Sequence, residues 1–263
     1  MNYLQTTMVG QYEVFSDQLT KISLTSKLVI NTINQFSYCI ARKDEEFSTA
    51  LKQSNILLPD GMAIVKASRF LTGKKITKIA GTDLHNYLLE QLQKISGTCF
   101  YLGSSEDTLS RIKIKLAAQY PQIHVYTYSP PFKKNFSNED NKAMVEAVNN
   151  CKPDILFIGL TAPKQEKWAF NHKELLQARL ICSIGAVFDF YAETIKRANM
   201  FWIKLGMEWL IRLIKQPRHM WKRYLYYGPV FILHIIIFKF RTNLSKQSIY
   251  EKEVLINLER ALL

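Results

Sequence analysis

The sequence predicts an α/β fold: a mostly parallel sheet flanked by helices, followed by a helical carboxy-terminal appendage. Three observations in the 263 residues support this. Short apolar runs alternate with segments of helical periodicity, which is the pattern of βαβ units. Each apolar run passes directly into Gly, Ser, Thr or Asn, and the chain becomes basic and aromatic near Lys196. We therefore divide it into a core of residues 1–195 and an appendage of residues 196–263.

Four apolar runs have the length and composition of strands buried on both faces of a sheet. These runs, each with the residues that follow it, are Leu28-Val29-Ile30 before Asn31 to Asn34, Thr98 to Leu102 before Gly103-Ser104-Ser105, Ile155 to Ile158 before Gly159, and Ile181 to Ile184 before Gly185. Open α/β sheets bind ligands at the carboxyl ends of their strands, so these exits are where we expect a site.

The segments between the runs repeat apolar residues in steps of three or four, as a helix covering one sheet face requires. One series is Leu84, Leu88, Leu92 and Ile95, and another is Leu109, Ile112 and Leu116 in a helix predicted over Thr108 to Gln119. A further helix is predicted from Met62 to about Leu71. Asp60 precedes it, and the sequence supports two roles for this residue equally: N-cap of the helix and catalytic carboxylate. Capping is favoured for Asp83, because a Leu-periodic helix follows it at once.

The segment from Pro153 to Trp168 is the most informative in the chain. A buried strand ends at Gly159-Leu160, and Pro163 then opens a helix. Lys164, Gln165 and Glu166 occupy its first turn, where unpaired backbone N–H groups can hold a ligand. Local roles are the alternative: Lys164 and Glu166 pair with each other or with solvent, and Gln165 satisfies nearby backbone.

Composition predicts an anionic partner. Lys and Arg outnumber Asp and Glu 35 to 22, which gives a formal charge of +13. Nucleic acid, anionic lipid and a phosphorylated substrate all fit this charge. Cys39, Cys99, Cys151 and Cys182 lack metal-ligand spacing, so we expect free thiols, no metal site and a reducing compartment. No basic region precedes Met8-Val9, which favours a cytoplasmic protein.

The appendage predicts contact with a membrane surface. Eight basic residues lie between Lys196 and Arg223 against the single acid Glu208, with three Trp interleaved. The apolar stretch from Tyr224 to Phe240 would extend roughly 25 Å as a helix, which is shorter than a hydrocarbon core of roughly 30 Å. We expect it to lie in the interface of an anionic membrane. The alternative is a helix packed on the core or on another subunit.

The order of these segments resembles one family. The segments are Thr32-Ile33-Asn34, Leu58-Pro59-Asp60-Gly61, Ala80-Gly81-Thr82-Asp83-Leu84, Gly159-Leu160-Thr161-Ala162-Pro163-Lys164-Gln165-Glu166-Lys167-Trp168, Phe188-Asp189-Phe190-Tyr191-Ala192 and Gly206-Met207-Glu208-Trp209-Leu210. From about Val29 to Tyr224 the chain is similar to the WecG/TagA/CpsF glycosyltransferases. It departs from them at Ser104 and Glu193, where the family usually has Gly.

The resemblance implies a Rossmann-like core and an inverting enzyme that uses no metal and no cofactor. The implied reaction transfers a sugar, of N-acetylmannosamine type or a related hexose, from a UDP-sugar to a polyprenyl-diphosphate-linked saccharide for cell-surface polysaccharide. The implied location is peripheral, on the cytoplasmic face of the membrane. Homo-oligomerisation stays open.

The resemblance also implies residue roles. Asp60 matches the general base, Thr32 and Asn34 lie beside it, and Gln165 faces the reacting sugars. For the donor we expect contacts from Lys78, Gly103, Ser104, Gly159, Lys164, Gly185 and Asp189. Asp189 could instead anchor a neighbouring loop. For the lipid diphosphate, the matching region of the appendage contains Arg212, Arg218 and Arg223.

Two rival functions account for less of the sequence. A nucleic-acid-binding module predicts basic residues spread over a groove-facing surface, whereas here they concentrate beside an apolar tail. A non-catalytic membrane scaffold explains the tail but gives no reason for polar residues at successive strand exits. We therefore expect no nucleic-acid partner.

Overall fold

The computed structural model describes residues 4–194, 202, 208–215 and 217–243, except for the side chains of Glu208, Arg212 and His219. Lys196, Arg197 and Lys204 of the predicted basic segment lie outside these residues. So do the predicted domain boundary at residues 195 and 196 and the tail after residue 243.

A six-stranded parallel sheet forms the centre of the molecule, in the order β4-β3-β8-β7-β5-β6. Its strands are β3 (Leu28–Ile33), β4 (Ile56–Pro59), β5 (Thr98–Gly103), β6 (His124–Tyr128), β7 (Ile155–Gly159) and β8 (Leu180–Ser183). A separate antiparallel hairpin precedes it, made of β1 (Thr6–Val9) and β2 (Tyr12–Phe15). The predicted parallel sheet is confirmed.

Within the described residues, eight helices accompany the sheet and the others belong to the appendage. They are α1 (Gln35–Ala41), α2 (Glu45–Lys52), α3 (Met62–Thr72), α4 (Gly81–Ile95), α5 (Glu106–Gln119), α6 (Asn138–Cys151), α7 (Lys164–His172) and α8 (Val187–Tyr191), with a 3-10 turn at Leu19–Lys21. In the appendage, α9 (Glu208–Lys215) and α10 (Pro217–Trp221) are followed by a π-helical stretch, Lys222–Tyr226. Residues 227–243 continue as an α-helix, which we call the tail helix.

Alternate residues of each central strand pack on opposite faces of the sheet. Tyr101 and Phe157 join α4 and α5 on one face, and Phe100 and Leu156 join α6 and α7 on the other. This period of two places an apolar side chain on both faces, which explains why the strands read as continuous apolar runs.

The tail helix packs against the protein through one face. Phe231 and Ile235 are buried with the hairpin and helices α1 to α3, and the rings of Phe231 and Tyr38 meet edge to face at 5.0 Å. Its other apolar residues, Ile232, Leu233, Ile236, Ile237, Phe238 and Phe240, are exposed. Across the described residues, no helix has both the length and the apolar character needed to cross a membrane.

Helix α3 begins at Met62 as predicted, but the structure corrects its cap and the starts of two other helices. The N-cap of α3 is Gly61, so Asp60 is not its cap. Helix α4 begins earlier than predicted, at Gly81, and Asp83 caps it from the third helical position by accepting the Ala80 N–H at 2.8 Å. Helix α5 begins at Glu106 rather than Thr108, because Ser105 Oγ accepts the Thr108 N–H.

Candidate functional site

A cleft of ≈ 1740 Å³ runs along the carboxyl edge of the sheet. Residues that follow all six parallel strands line it, together with parts of the appendage and the tail helix. Six strands at a spacing of about 4.8 Å make this edge roughly 24 Å wide. The β4 end of the cleft is next to the tail helix and the β6 end is far from it, so one cleft has room for two ligands side by side.

Asp60, Thr32 and Asn34 come together near the β4 end. Strands β3 and β4 pair with Ile33 opposite Pro59, and Asp60 N donates to Ile33 O at 2.9 Å. A Cβ atom on Gly61 would lie 3.9 Å from Asn34 Cβ. All three site residues are half-buried and line the cleft. A carboxylate, a hydroxyl and an amide are therefore available to one ligand.

Asn34 also has a structural role, as the N-cap of α1. Its Oδ1 accepts the backbone N–H groups of Phe36 and Ser37 at 3.0 Å each, and Ser37 Oγ accepts the Asn34 N–H at 2.8 Å. This reciprocal capping box fixes the orientation of the side chain. Because the oxygen is engaged, the amide NH₂ is the part of Asn34 that suits a ligand acceptor.

Gln165 and Glu166 form a buried pair in the middle of the cleft wall. Gln165 Nε2 donates to Glu166 Oε1 at 2.9 Å, and both side chains are almost completely buried. Burial raises the pKa of Glu166 to about 7, although the hydrogen bond from Gln165 and the charge of Arg223 oppose this rise. Within the described residues, Gln165 Oε1 and Glu166 Oε2 have no hydrogen-bond partner.

Glu166 is the site residue that the sequence did not reveal. The predicted alternative, an ion pair with Lys164, is wrong, because Lys164 Nζ donates to Lys133 O and Glu166 pairs with Gln165. The available signal was periodicity: Glu166 lies three residues before the buried Ala169, on the inward face of α7.

The rest of the Pro-Lys-Gln-Glu-Lys-Trp block holds α7 in place. Lys167 bridges Asp44 at 2.6 Å and Glu46 at 3.1 Å at the start of α2. Trp168 is buried, and its Nε1 donates to Asn141 Oδ1 at 3.0 Å. These contacts fix the first turn of α7 relative to two other helices, which orients the Gln165–Glu166 pair.

Lys164 lies in the half of the cleft that is nearer β6. Its Nζ lies 3.4 Å from the centre of the Phe136 ring, and burial lowers its pKa.

Gly103 is in register with Gly159 at the ends of β5 and β7. Ser104 follows with φ 63°, and its carbonyl accepts a hydrogen bond from Ser129 Oγ at 2.7 Å. Gly159 and Ser104 line the cleft with Lys164, whereas Gly103 does not border it.

Gly185 and Asp189 form the floor after β8. Gly185 has φ 51°, and a Cβ atom there would lie 3.2 Å from Gln165 Oε1, so the absence of a side chain leaves room for this amide. Asp189 is half-buried in α8, and burial raises its pKa. Thr194 Oγ1 donates to the Asp189 carbonyl at 3.1 Å. Asp189 borders the cleft, and its role toward a ligand stays a prediction.

The predicted cations occupy different places. Lys78 is half-buried and lines the cleft. Arg223, in the π-helical stretch, also lines it, with its guanidinium carbon 4.6 Å from the centre of the Phe36 ring. Arg218 is exposed and does not border the cleft, and the Arg212 side chain lies outside the described residues. Arg223 is therefore the appendage arginine that the structure brings to the cleft.

The cysteines are free thiols, and all but the half-buried Cys151 are buried. In the part of the chain that the structure describes, no three His, Cys, Asp or Glu side chains are grouped so that they could hold a metal ion.

Comparison with known proteins identifies the family. The glycosyl transferase WecG/TagA/CpsF family model matches residues 3–245. A Bacillus subtilis protein named N-acetylglucosaminyldiphosphoundecaprenol N-acetyl-beta-D-mannosaminyltransferase is 32% identical over 80% of this chain and 81% of its own. A protein of the same name from Bacillus spizizenii is 23% identical over 84% of this chain and 88% of its own. Another from Staphylococcus aureus is 25% identical over 85% of this chain and 84% of its own. The chain thus belongs to the WecG/TagA/CpsF family of glycosyltransferases.

Proposed function

We propose that this glycosyltransferase moves an N-acetylmannosamine-type sugar from a UDP-sugar to a polyprenyl-diphosphate-linked saccharide, with inversion at the anomeric carbon. The names of its relatives support this choice of sugar and acceptor. One observation carries the proposal: the Asp60 carboxylate shares a single cleft with the Gln165–Glu166 pair and with Arg223.

Asp60 acts as the general base. An acceptor hydroxyl beside Asp60 loses its proton to the carboxylate while its oxygen bonds to the anomeric carbon, and the bond from that carbon to UDP breaks. One displacement of this kind inverts the configuration. Thr32 and the Asn34 amide, which lie next to Asp60, orient the acceptor sugar.

The Gln165–Glu166 pair binds the transferred sugar. Its two unpaired acceptors, Gln165 Oε1 and Glu166 Oε2, suit hydroxyl or amide N–H donors, and these are the groups that an N-acetylated hexose carries. Because an unpaired buried acceptor is costly, a sugar that satisfies both is preferred over one that lacks a donor there.

Cations stabilise the departing diphosphate. Lys164 and Lys78 line the cleft, whereas the backbone N–H groups of Lys164 and Gln165 at the start of α7 already donate to Thr161 O. Negative charge that develops on the leaving oxygen is stabilised by positive groups already in position. Metal independence is part of this proposal.

Acceptor binding takes place at the membrane. Arg223 contacts the lipid diphosphate, since a guanidinium fork matches two phosphate oxygens at once. The apolar residues exposed on the outer face of the tail helix, such as Leu233 and Ile237, rest with Arg241 on the cytoplasmic face of the bilayer as a peripheral anchor.

The test is a transfer assay with a panel of UDP-sugars and a short-chain lipid-diphosphate saccharide. We expect one product, identified by mass, whose new linkage has inverted configuration by NMR. Asp60→Asn should reduce turnover by roughly 10³-fold, which is within the usual range for a general base.

Asp107→Asn is the matched control, because this carboxylate is exposed on α5 and pairs with Arg111 on the same helix. It should retain full turnover. Equal turnover by Asp60→Asn and Asp107→Asn, in folded protein, would remove Asp60 from the mechanism.

A further inference from the structure

The cleft has an apolar arm that the transfer chemistry does not use. It lies between α3 and the tail helix, and we call it the apolar groove. On α3, Met62 and Phe70 form an exposed rim around Ala63 and Ala67. All four border the same cleft as Asp60.

The tail helix supplies the opposite wall. Phe231 and Ile235 are buried at its base, while Ile232 and Ile236 are 59% and 37% exposed at its rim. Residues three and four apart share one face of a helix, so these four side chains form a continuous apolar stripe along the groove.

The two ends of the groove differ in closure. Arg223 and Asp60 lie at the end that opens into the site, with Lys66 between Met62 and Phe70 on α3. At the other end, Lys239 Nζ donates to Leu71 O at 2.8 Å and lies 5.8 Å from the Phe70 ring centre. From residue 228 to residue 239 the helix rises about 16 Å, a length that holds roughly three isoprene units built from bonds of about 1.5 Å.

We propose that the apolar groove binds the first isoprene units of the lipid-diphosphate acceptor, an inference that rests on the proposed function. Arg223 at the open end faces the diphosphate, and apolar side chains face the chain attached to it. A peptide is a poorer match, because the groove offers few polar partners for backbone N–H and C=O groups. The protein therefore binds the acceptor through its lipid as well as through its sugars.

The groove is distinct from the exposed apolar surface of the same helix. Leu233 and Ile237 are 56% and 39% exposed but do not border the cleft. They are therefore matched controls for Ile232 and Ile236, with the same chemistry on the same helix but outside the groove.

Binding of isopentenyl, geranyl and farnesyl diphosphate to the full-length protein, without donor or vesicles, tests the proposal. Each added isoprene unit should lower Kd by about tenfold, because more apolar surface leaves water. Ile232→Ser with Ile236→Ser should abolish this dependence on chain length. Leu233→Ser with Ile237→Ser should preserve it, and both double variants should show the native circular dichroism spectrum.

Equal Kd values for the three diphosphates, or equal effects of the two double variants, would overturn the proposal. A groove that instead holds a second copy of the chain would show a change in sedimentation coefficient for the Ile232/Ile236 variant and no change in Kd, which would also overturn it. Because binding is measured without donor, failure of sugar transfer would refute the proposed function while leaving this measurement decisive for the groove.

Discussion

Gln165 Nε2 lies 2.9 Å from Glu166 Oε1, so two adjacent residues in the first turn of α7 bond to each other in an almost fully buried position at the cleft. An isolated α-helix directs neighbouring side chains about 100° apart, and this pair converges because Lys167 and Trp168 hold the turn against other helices. The arrangement holds the Gln165 amide in place but buries the Glu166 carboxyl group away from water. Glu166 is therefore a titratable group at the cleft whose protonation state changes the charge of the site.

Glu166→Gln should change the pH dependence of stability. The folded pKa of Glu166 is about 7 against an ordinary value of 4.5, so Glu166 is compatible with the fold when protonated and destabilises it when ionised. The wild-type protein should therefore lose stability relative to Glu166→Gln as pH rises from about 4.5 to 7. The loss should be on the order of 3 kcal/mol in unfolding free energy, and it should level off above that range. Urea unfolding at pH 5 and pH 8 measures it.

Glu174→Gln, at an exposed position, is the control and should follow the wild-type pH dependence. If the difference between wild type and Glu166→Gln is the same at both pH values, Glu166 does not change protonation in this range.

Arg223→Gln should raise the pKa of Glu166 further. Arg223 approaches the cleft from the appendage, and its positive charge lowers the pKa of Glu166. Without that charge, the neutral carboxyl persists to higher pH. Carbon NMR of the Glu166 carboxyl, assigned by its absence in Glu166→Gln, measures the shift.

Arg218→Gln is the matched control, since Arg218 is exposed and does not border the cleft. An unchanged Glu166 titration in Arg223→Gln would show that the appendage does not communicate electrostatically with the Gln165–Glu166 pair.

Much of the sheet could be predicted because buried parallel strands read as apolar runs. The runs at Val29, Phe100, Leu156 and Ile181 all became sheet strands. Edge strand β6 was not predicted, since its side chains are half-exposed and no continuous apolar run marks it. The hairpin of β1 and β2 was also missed, because polar residues interrupt its two four-residue strands and leave no continuous apolar run.

The site was harder to predict because its chemistry depends on tertiary contacts. The sequence placed Asp60 and Gln165 at strand exits, and the structure brings both to one cleft. It did not predict the burial of Glu166, which accompanies the packing of α7 on α2. The groove beside α3 was also not predicted, since nothing local links residue 63 to residue 235.

Ser104→Gly should stabilise the protein. Ser104 is a non-glycine residue whose backbone is left-handed at φ 63°. A non-glycine residue in this conformation costs roughly 1 kcal/mol, so glycine should raise the unfolding free energy by up to about that amount. Part of this gain is offset, because glycine has greater conformational freedom in the unfolded chain. Ser104→Ala is the control and should bring no gain, because it keeps the Cβ atom. Denaturant unfolding at fixed pH decides between them.

Gly185→Ala should impair turnover more than its effect on stability explains. The new Cβ atom would lie 3.2 Å from Gln165 Oε1, and the backbone at φ 51° is strained for alanine. Gly73→Ala separates these two effects, because Gly73 caps α3 at φ 76° with nothing within 4 Å of its Cβ position. Both variants should lose about 1 kcal/mol of unfolding free energy from the backbone alone. Only Gly185→Ala should also lower kcat, by about tenfold or more, since a displaced amide misaligns the bound sugar. Unchanged kcat in folded Gly185→Ala would show that the position of Gln165 does not limit transfer.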